Sequence, residues 1–186
     1  MARQHPHAFW ASISACEHIV QIFDTDESFV DALVEFTASP LMRGETAVVV
    51  VTKDHLRELE RRLSILGINL PALTSDDRLI SIDAEEALSQ LLVNDRFDKH
   101  AFTRLAQLTV TRAGRSGRKF RVAGEMVGLL AAGGHFDLAI DLERLWARLG
   151  KSGSFPLFCG YPRSAFAVDP DSISRVWAEH SAIFAP

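Results

Sequence analysis

No glycine-rich run ending in Lys-Ser or Lys-Thr occurs anywhere in the chain. Such a run wraps the phosphates of a nucleotide in backbone amides, so its absence excludes a phosphate-loop NTPase. "GRSGRK" at 114–119 is the nearest imitation, and it leads into a strand pattern, so no helix amino terminus faces a phosphate there. A Gly-x-Ser-x-Gly nucleophile elbow is also missing, which removes the commonest hydrolase signature. No apolar run approaches the ~20 residues that span a bilayer. The opening "MARQHPHAFWASISA" lacks the apolar centre of a secretory signal. The two cysteines, Cys16 and Cys159, make one pair at most. They read as free thiols, and a cytoplasmic location is expected. Positive charge is in deficit too, with a formal net charge of −4. Neither nucleic acid nor a membrane is therefore expected as a direct partner. The local cluster Arg112, Arg115, Arg118, Lys119, Arg121 reads as a helix end and a solvated turn.

What is present is the composition of a folded domain, 47% hydrophobic and 24% charged over 186 residues. That length suits one domain, assigned to residues 16–186 behind an N-terminal arm at 1–15. "HIVQIF" is a first strand, followed by a helix whose stripe is Phe29, Leu33, Val34 and Phe36 or Thr37, with Asp26 as its cap. "SPLMRGE" breaks that pattern. "ETAVVVVT" is apolar on both faces and reads as a central strand covered by helices on each side. A helix over about 53–66, a strand at 78–83, and helices from 84 and over 98–113 come next. A strand at 120–126, two helical stretches around 127–132 and 137–150, a strand at 155–162 and an amphipathic segment at 172–184 complete the chain. The alternation predicts an α/β fold of three layers, a mainly parallel sheet flanked by helices.

Ligands of such sheets sit outside the carboxyl ends of the strands. The first strand ends in Asp24-Thr25-Asp26-Glu27, acidic and without glycine or lysine. Asp24 and Glu125 could form a carboxylate pair at that edge, with one pKa raised by the other. Asp24 also reads as a turn residue. Glu125, between a buried strand and an apolar helix, needs an arginine or backbone amides as partner. Tyr161 closes the last strand with a hydroxyl that can reach a polar ligand atom. Cys16-Glu17-His18 offers metal-ligand residue types, with Cys159 close by if the first and last strands are neighbours. Adjacent strand residues point to opposite faces, however, so only Cys16 and His18 can act together. The expectation is no metal centre, no cofactor and no catalytic residue. Glu143 and Arg144 read as the solvated face of their helix, and Trp146 as core.

Five blocks in order resemble the MEDS family, the methanogen/methylotroph sensory domain. They are His18 to Phe23-Asp24, Gly44-Glu45 to Val50, Arg78-Leu79 to Leu88, Arg121 to Val127 with "GEMV" inside it, and Cys159 to Pro162. The resemblance covers about residues 16–165. It implies a RecA-like domain without a P-loop, which fits an acidic turn where a phosphate loop would stand. It further implies a non-catalytic sensor of a small molecule such as a hydrocarbon derivative. His18, Phe23, Asp24, Glu125, Cys159 and Tyr161 are the ligand-binding candidates at the matching positions. Since the sensor uses nearly the whole chain, output is expected through a partner, a histidine kinase or a regulator. Self-association is expected by analogy with RecA-like domains. A ligand-free docking module using Trp177 and Phe184 is the alternative.

Overall fold

A computed structural model describes residues 9–10, 13–93 and 96–185. Along the chain run β1 (His18–Phe23), α1 (Asp26–Met42), β2 (Thr46–Val51), α2 (Lys53–Ile65), α3 (Leu70–Ser75) and β3 (Leu79–Asp83). Then come α4 (Ala84–Leu91), the short antiparallel pair β4 (Leu92–Val93) and β5 (Arg96–Phe97), α5 (Lys99–Ala113) and β6 (Phe120–Gly124). The chain ends with α6 (Met126–Ala132), α7 (Phe136–Gly153), β7 (Leu157–Pro162), α8 (Ser172–Ala178) and β8 (Ala182–Ile183). Six strands form one sheet in the order β3-β2-β6-β7-β1-β8. All its pairings are parallel. The three-layer α/β fold is as the alternation of elements predicts.

Strand geometry sorts side chains by parity, because successive residues point to opposite faces. In β2, Val48 and Val50 join one core cluster while Val49 and Val51 join the other. The first cluster lies beneath α4–α8 and the second beneath α1 and α2. His18 is in register with Leu157, so the even residues of β1 share a face with Leu157, Cys159 and Tyr161. That face is covered by α7. Phe23 has the other parity and stacks on Phe29 at 4.7 Å.

Several local expectations change. Helix α1 runs on through Pro40 to Met42. Its cap is Thr25, whose hydroxyl accepts from the Ser28 amide at 3.2 Å, and Asp26 lies in the first turn instead. Helix α3, the β4–β5 pair and β8 were not expected. The segment at 172–184 is a helix only to Ala178, after which β8 pairs with β1. Most of the 1–15 arm lies outside the described residues, but Trp10 is helical and buried. Its indole sits 5.0 Å from Phe158 and 4.6 Å from Phe184, and its carbonyl accepts a bond from Arg121. Trp10 therefore belongs to the core. No helix among the described residues is long and apolar enough to cross a membrane.

Candidate functional site

Two polar assemblies stand out, one at the carboxyl edge of the sheet and one inside it. The edge assembly begins with Glu125, which follows β6 and precedes the first turn of α6. Its side chain does not cap α6. It reaches over β2 to the start of α2, where Oε1 accepts from the Thr52 amide at 2.6 Å and from His55 Nδ1 at 2.7 Å. A carboxylate there is favoured by the positive end of the α2 dipole. The other ring nitrogen of His55, Nε2, lies 3.5 Å from the exposed Asp26 carboxylate. Burial draws the His55 pKa down, but the Glu125 bond and the charges of Glu125 and Asp26 outweigh it, so the net shift is upward. Two carboxylates facing both ring nitrogens describe an imidazolium. Asp24 stands apart, paired on the surface with Arg163. The carboxylate pair expected between Asp24 and Glu125 therefore does not form, because each has found a cationic partner of its own.

The interior assembly lies between the sheet and α7. Its centre is Glu143, whose side chain is wholly buried. Tyr161 donates its hydroxyl proton to Glu143 Oε1 at 2.8 Å. Cys159 Sγ is 3.3 Å from Oε2, and His18 Nε2 is 3.0 Å from the same oxygen. His180 Nε2 approaches Oε1 to 3.3 Å, without the alignment of a hydrogen bond. Burial alone would raise the Glu143 carboxyl, but His180 and His18 hold it well below the usual carboxylate range. Burial, then the Glu143 charge, pushes the Cys159 thiol and the Tyr161 phenol up. His180 is raised by Glu143 against its own burial. A small apolar cavity of about 20 Å³ adjoins Cys159, walled by Val122, Met126, Trp146 and Leu157.

The MEDS profile, the methanogen/methylotroph, DcmR sensory domain, matches residues 17–181 of the 186. The chain belongs to the MEDS family. No curated protein matches it. MEDS is a family of sensory domains rather than of catalysts, so this chain has a sensory or signalling role. The matched segment includes every member of the interior assembly, from His18 to His180.

Within this MEDS domain the six candidate positions divide. His18, Cys159 and Tyr161 meet in the interior, Asp24 and Glu125 stand at the edge, and Phe23 belongs to the opposite core. Tyr161 is therefore not beside Asp24 and Glu125, because its parity and the depth of α7 carry its hydroxyl to Glu143. Cys16 is outside the interior group, its sulfur 3.9 Å from the Lys151 carbonyl. Glu143 does not lie on a solvated face. It shares the buried stripe of α7 with Ala139, Ile140, Leu142, Trp146 and Gly150. That spacing of three and four residues was a signal in the sequence, a carboxylate inside an apolar stripe. His180 had no comparable signal. It arrives through the turn between α8 and β8, and only strand pairing brings that turn to β1.

Proposed function

We propose that this MEDS domain is a non-catalytic sensor of a small molecule, which binds beside the Gly133–Gly134 turn and signals through a partner protein. The observation that carries the reading is a cleft of about 610 Å³ at that turn, on the carboxyl side of β7. Its volume suits a small organic ligand. Ala131, Ala132, Phe136, Leu138 and Val168 supply apolar wall, while His135, Asp137, Ser164 and Arg175 supply polar groups. A short hydrocarbon bearing one polar end fits that mixture.

The cleft is mechanically connected to both polar assemblies. Helix α6 runs from Glu125 to the turn, and α7 runs from the turn to Glu143. Phe136 in the cleft wall packs on Phe166 at 5.5 Å, and Phe166 packs on Tyr161 at 5.9 Å. Tyr161 in turn holds Glu143. Gly134 has φ of +81°, a conformation few other residues adopt, and it gives the turn its hinge. Ligand in the cleft would bias the setting of α7, and a histidine kinase or transcriptional regulator would read that setting.

The test is thermal unfolding of the wild type and Ala132→Trp against short alcohols, aldehydes, carboxylic acids and halomethanes. At least one compound should raise the wild-type Tm in a saturable way. Ala132→Trp, which fills the cleft from an exposed position on α6, should abolish that rise and leave the unliganded Tm within about 2 °C. A rise that survives the tryptophan would place the ligand elsewhere. A ligand-free docking module is the second reading. Trp177 is 46% exposed and could anchor it, but Phe184 is buried against Trp10 and takes no part.

A further inference from the structure

We propose that His18, Glu143, Cys159 and His180 form a binding site for a divalent transition-metal ion, and that the donor set selects zinc. This departs from the sequence expectation of no metal centre. That expectation weighed Cys16, Glu17, His18 and Cys159 but neither Glu143 nor His180.

The four donor atoms lie within 4.8 Å of one another in the interior of the domain. The separations are 3.0 Å for His18 Nε2 to Glu143 Oε2 and 3.4 Å for His18 Nε2 to Cys159 Sγ. Cys159 Sγ to Glu143 Oε2 is 3.3 Å, and His180 Nε2 to Glu143 Oε1 is 3.3 Å. A tetrahedral zinc ion with ordinary Zn–N, Zn–O and Zn–S bonds separates its ligands by about 3.3–3.8 Å. A small outward relaxation would admit the ion.

The orientation of both imidazoles is the stronger argument. His18 Nδ1 faces the Glu179 carbonyl at 3.0 Å, and His180 Nδ1 faces the Val176 carbonyl at 2.7 Å. A carbonyl only accepts, so each Nδ1 carries its proton, and each ring in its neutral form turns an Nε2 lone pair into the cluster. This is the outer-shell arrangement that aims histidines at a metal. His180 Nε2 is buried there without a hydrogen-bond partner. Without a cation, both lone pairs would confront a carboxylate and a sulfur. Protonating one ring would balance the carboxylate but leave the other Nε2 lone pair unmet, and protonating both would stack two imidazolium ions at 4.0 Å around a single carboxylate, leaving a net positive charge in the core. A zinc ion with two neutral imidazoles, a thiolate and a carboxylate sums to zero. Tyr161, donating to Glu143 Oε1, then serves as an outer-shell partner of the carboxylate. Mixed nitrogen, sulfur and oxygen donors at tetrahedral spacing exclude the hard cations magnesium and calcium.

The inference is independent of the small-molecule reading, since metal content is measured with no ligand present. The untagged chain, expressed with zinc in the medium and purified without chelator, is analysed by elemental mass spectrometry. It should carry close to one zinc ion per chain. Cobalt(II) exchanged into the site should show intense tetrahedral d–d bands and a thiolate charge-transfer band. Cys159→Ser should lose the charge-transfer band, and His180→Ala should weaken zinc binding more than about tenfold. If either variant fails to fold, the wild-type cobalt spectrum and the drop in Tm on zinc removal still decide the matter. A folded wild-type chain that takes up neither zinc nor cobalt overturns the proposal. So does uptake with an octahedral, thiolate-free spectrum. In either case the cluster is a buried ion pair only.

Discussion

Replacing Glu125 tests how the carboxyl edge is held together. Glu125→Ala removes the acceptor of two short bonds, from the Thr52 amide at 2.6 Å and from His55 Nδ1 at 2.7 Å. Hydrogen bonds to a charged group contribute about 1.5–3 kcal/mol each, and abandoned donors lose more when water cannot reach them. Glu125 and His55 side chains are only 5% and 12% exposed, but Thr52 is half-buried and water can partly replace its partner. The expected loss is about 3–4 kcal/mol. Glu125→Gln keeps the shape and one acceptor and removes the charge, so its loss should be about 1–2 kcal/mol. Only the charged part depends on pH. The folded-state pKa of His55 lies above its ordinary value, chiefly because Glu125 outweighs the effect of burial. Its contribution is therefore complete below the ordinary histidine value of about 6.5 and is lost as pH rises through the raised value. Asp26 is 83% exposed, and salt should screen its share. Urea unfolding of the wild type and Glu125→Gln, at about pH 6 and about pH 9, measures the effect. The stability gap between them should narrow as pH rises. A gap that stays constant, or a loss below about 1 kcal/mol in Glu125→Ala, would refute the imidazolium bridge.

Two further perturbations test the packing. Trp10→Ala should destabilise the domain by about 3–5 kcal/mol in denaturant unfolding, because its indole is 1% exposed and touches Phe36, Phe158 and Phe184. An effect near zero would remove Trp10 from the core. Gly128→Ala would put a Cβ 2.4 Å from the Gly160 carbonyl oxygen, a backbone atom that cannot swing aside. Overpacking of about 1–3 kcal/mol or more should exceed the gain in helix propensity of about 1 kcal/mol, so the Tm should fall.

How much of this was legible in the sequence depends on the range of the interaction that decides each feature. The central strand was plain because Val48 to Val51 are apolar on both faces, and the covering helices were plain from their stripes. Helix α1 outran its expected end because Ala38, Pro40 and Leu41 are buried against the core and hold its last turn there, although Pro40 gives up one i→i−4 hydrogen bond. The edge strand β8 was hidden because two residues carry no periodicity, and only pairing with β1 makes them a strand. The candidate site was half legible. His18, Cys159 and Tyr161 stood out by type and position, and Glu143 was seen but set on the wrong side of its helix.

By itself the sequence determined the α/β class, the order of the elements and the lack of a phosphate loop. These follow from local period and from residue chemistry within a few positions. Thr25 caps α1, Asp26 and Glu27 fill its first turn, and neither glycine nor lysine stands between β1 and α1. Tertiary structure alone decided which polar residues meet. Register between β1 and β7 puts His18 and Cys159 on one face, the placement of α7 lowers Glu143 onto them, and the return of the chain to β8 delivers His180. The contacts that His18 makes with Glu143, Cys159 and Glu179 join residues more than 100 positions apart, a separation at which no periodicity in the chain carries information.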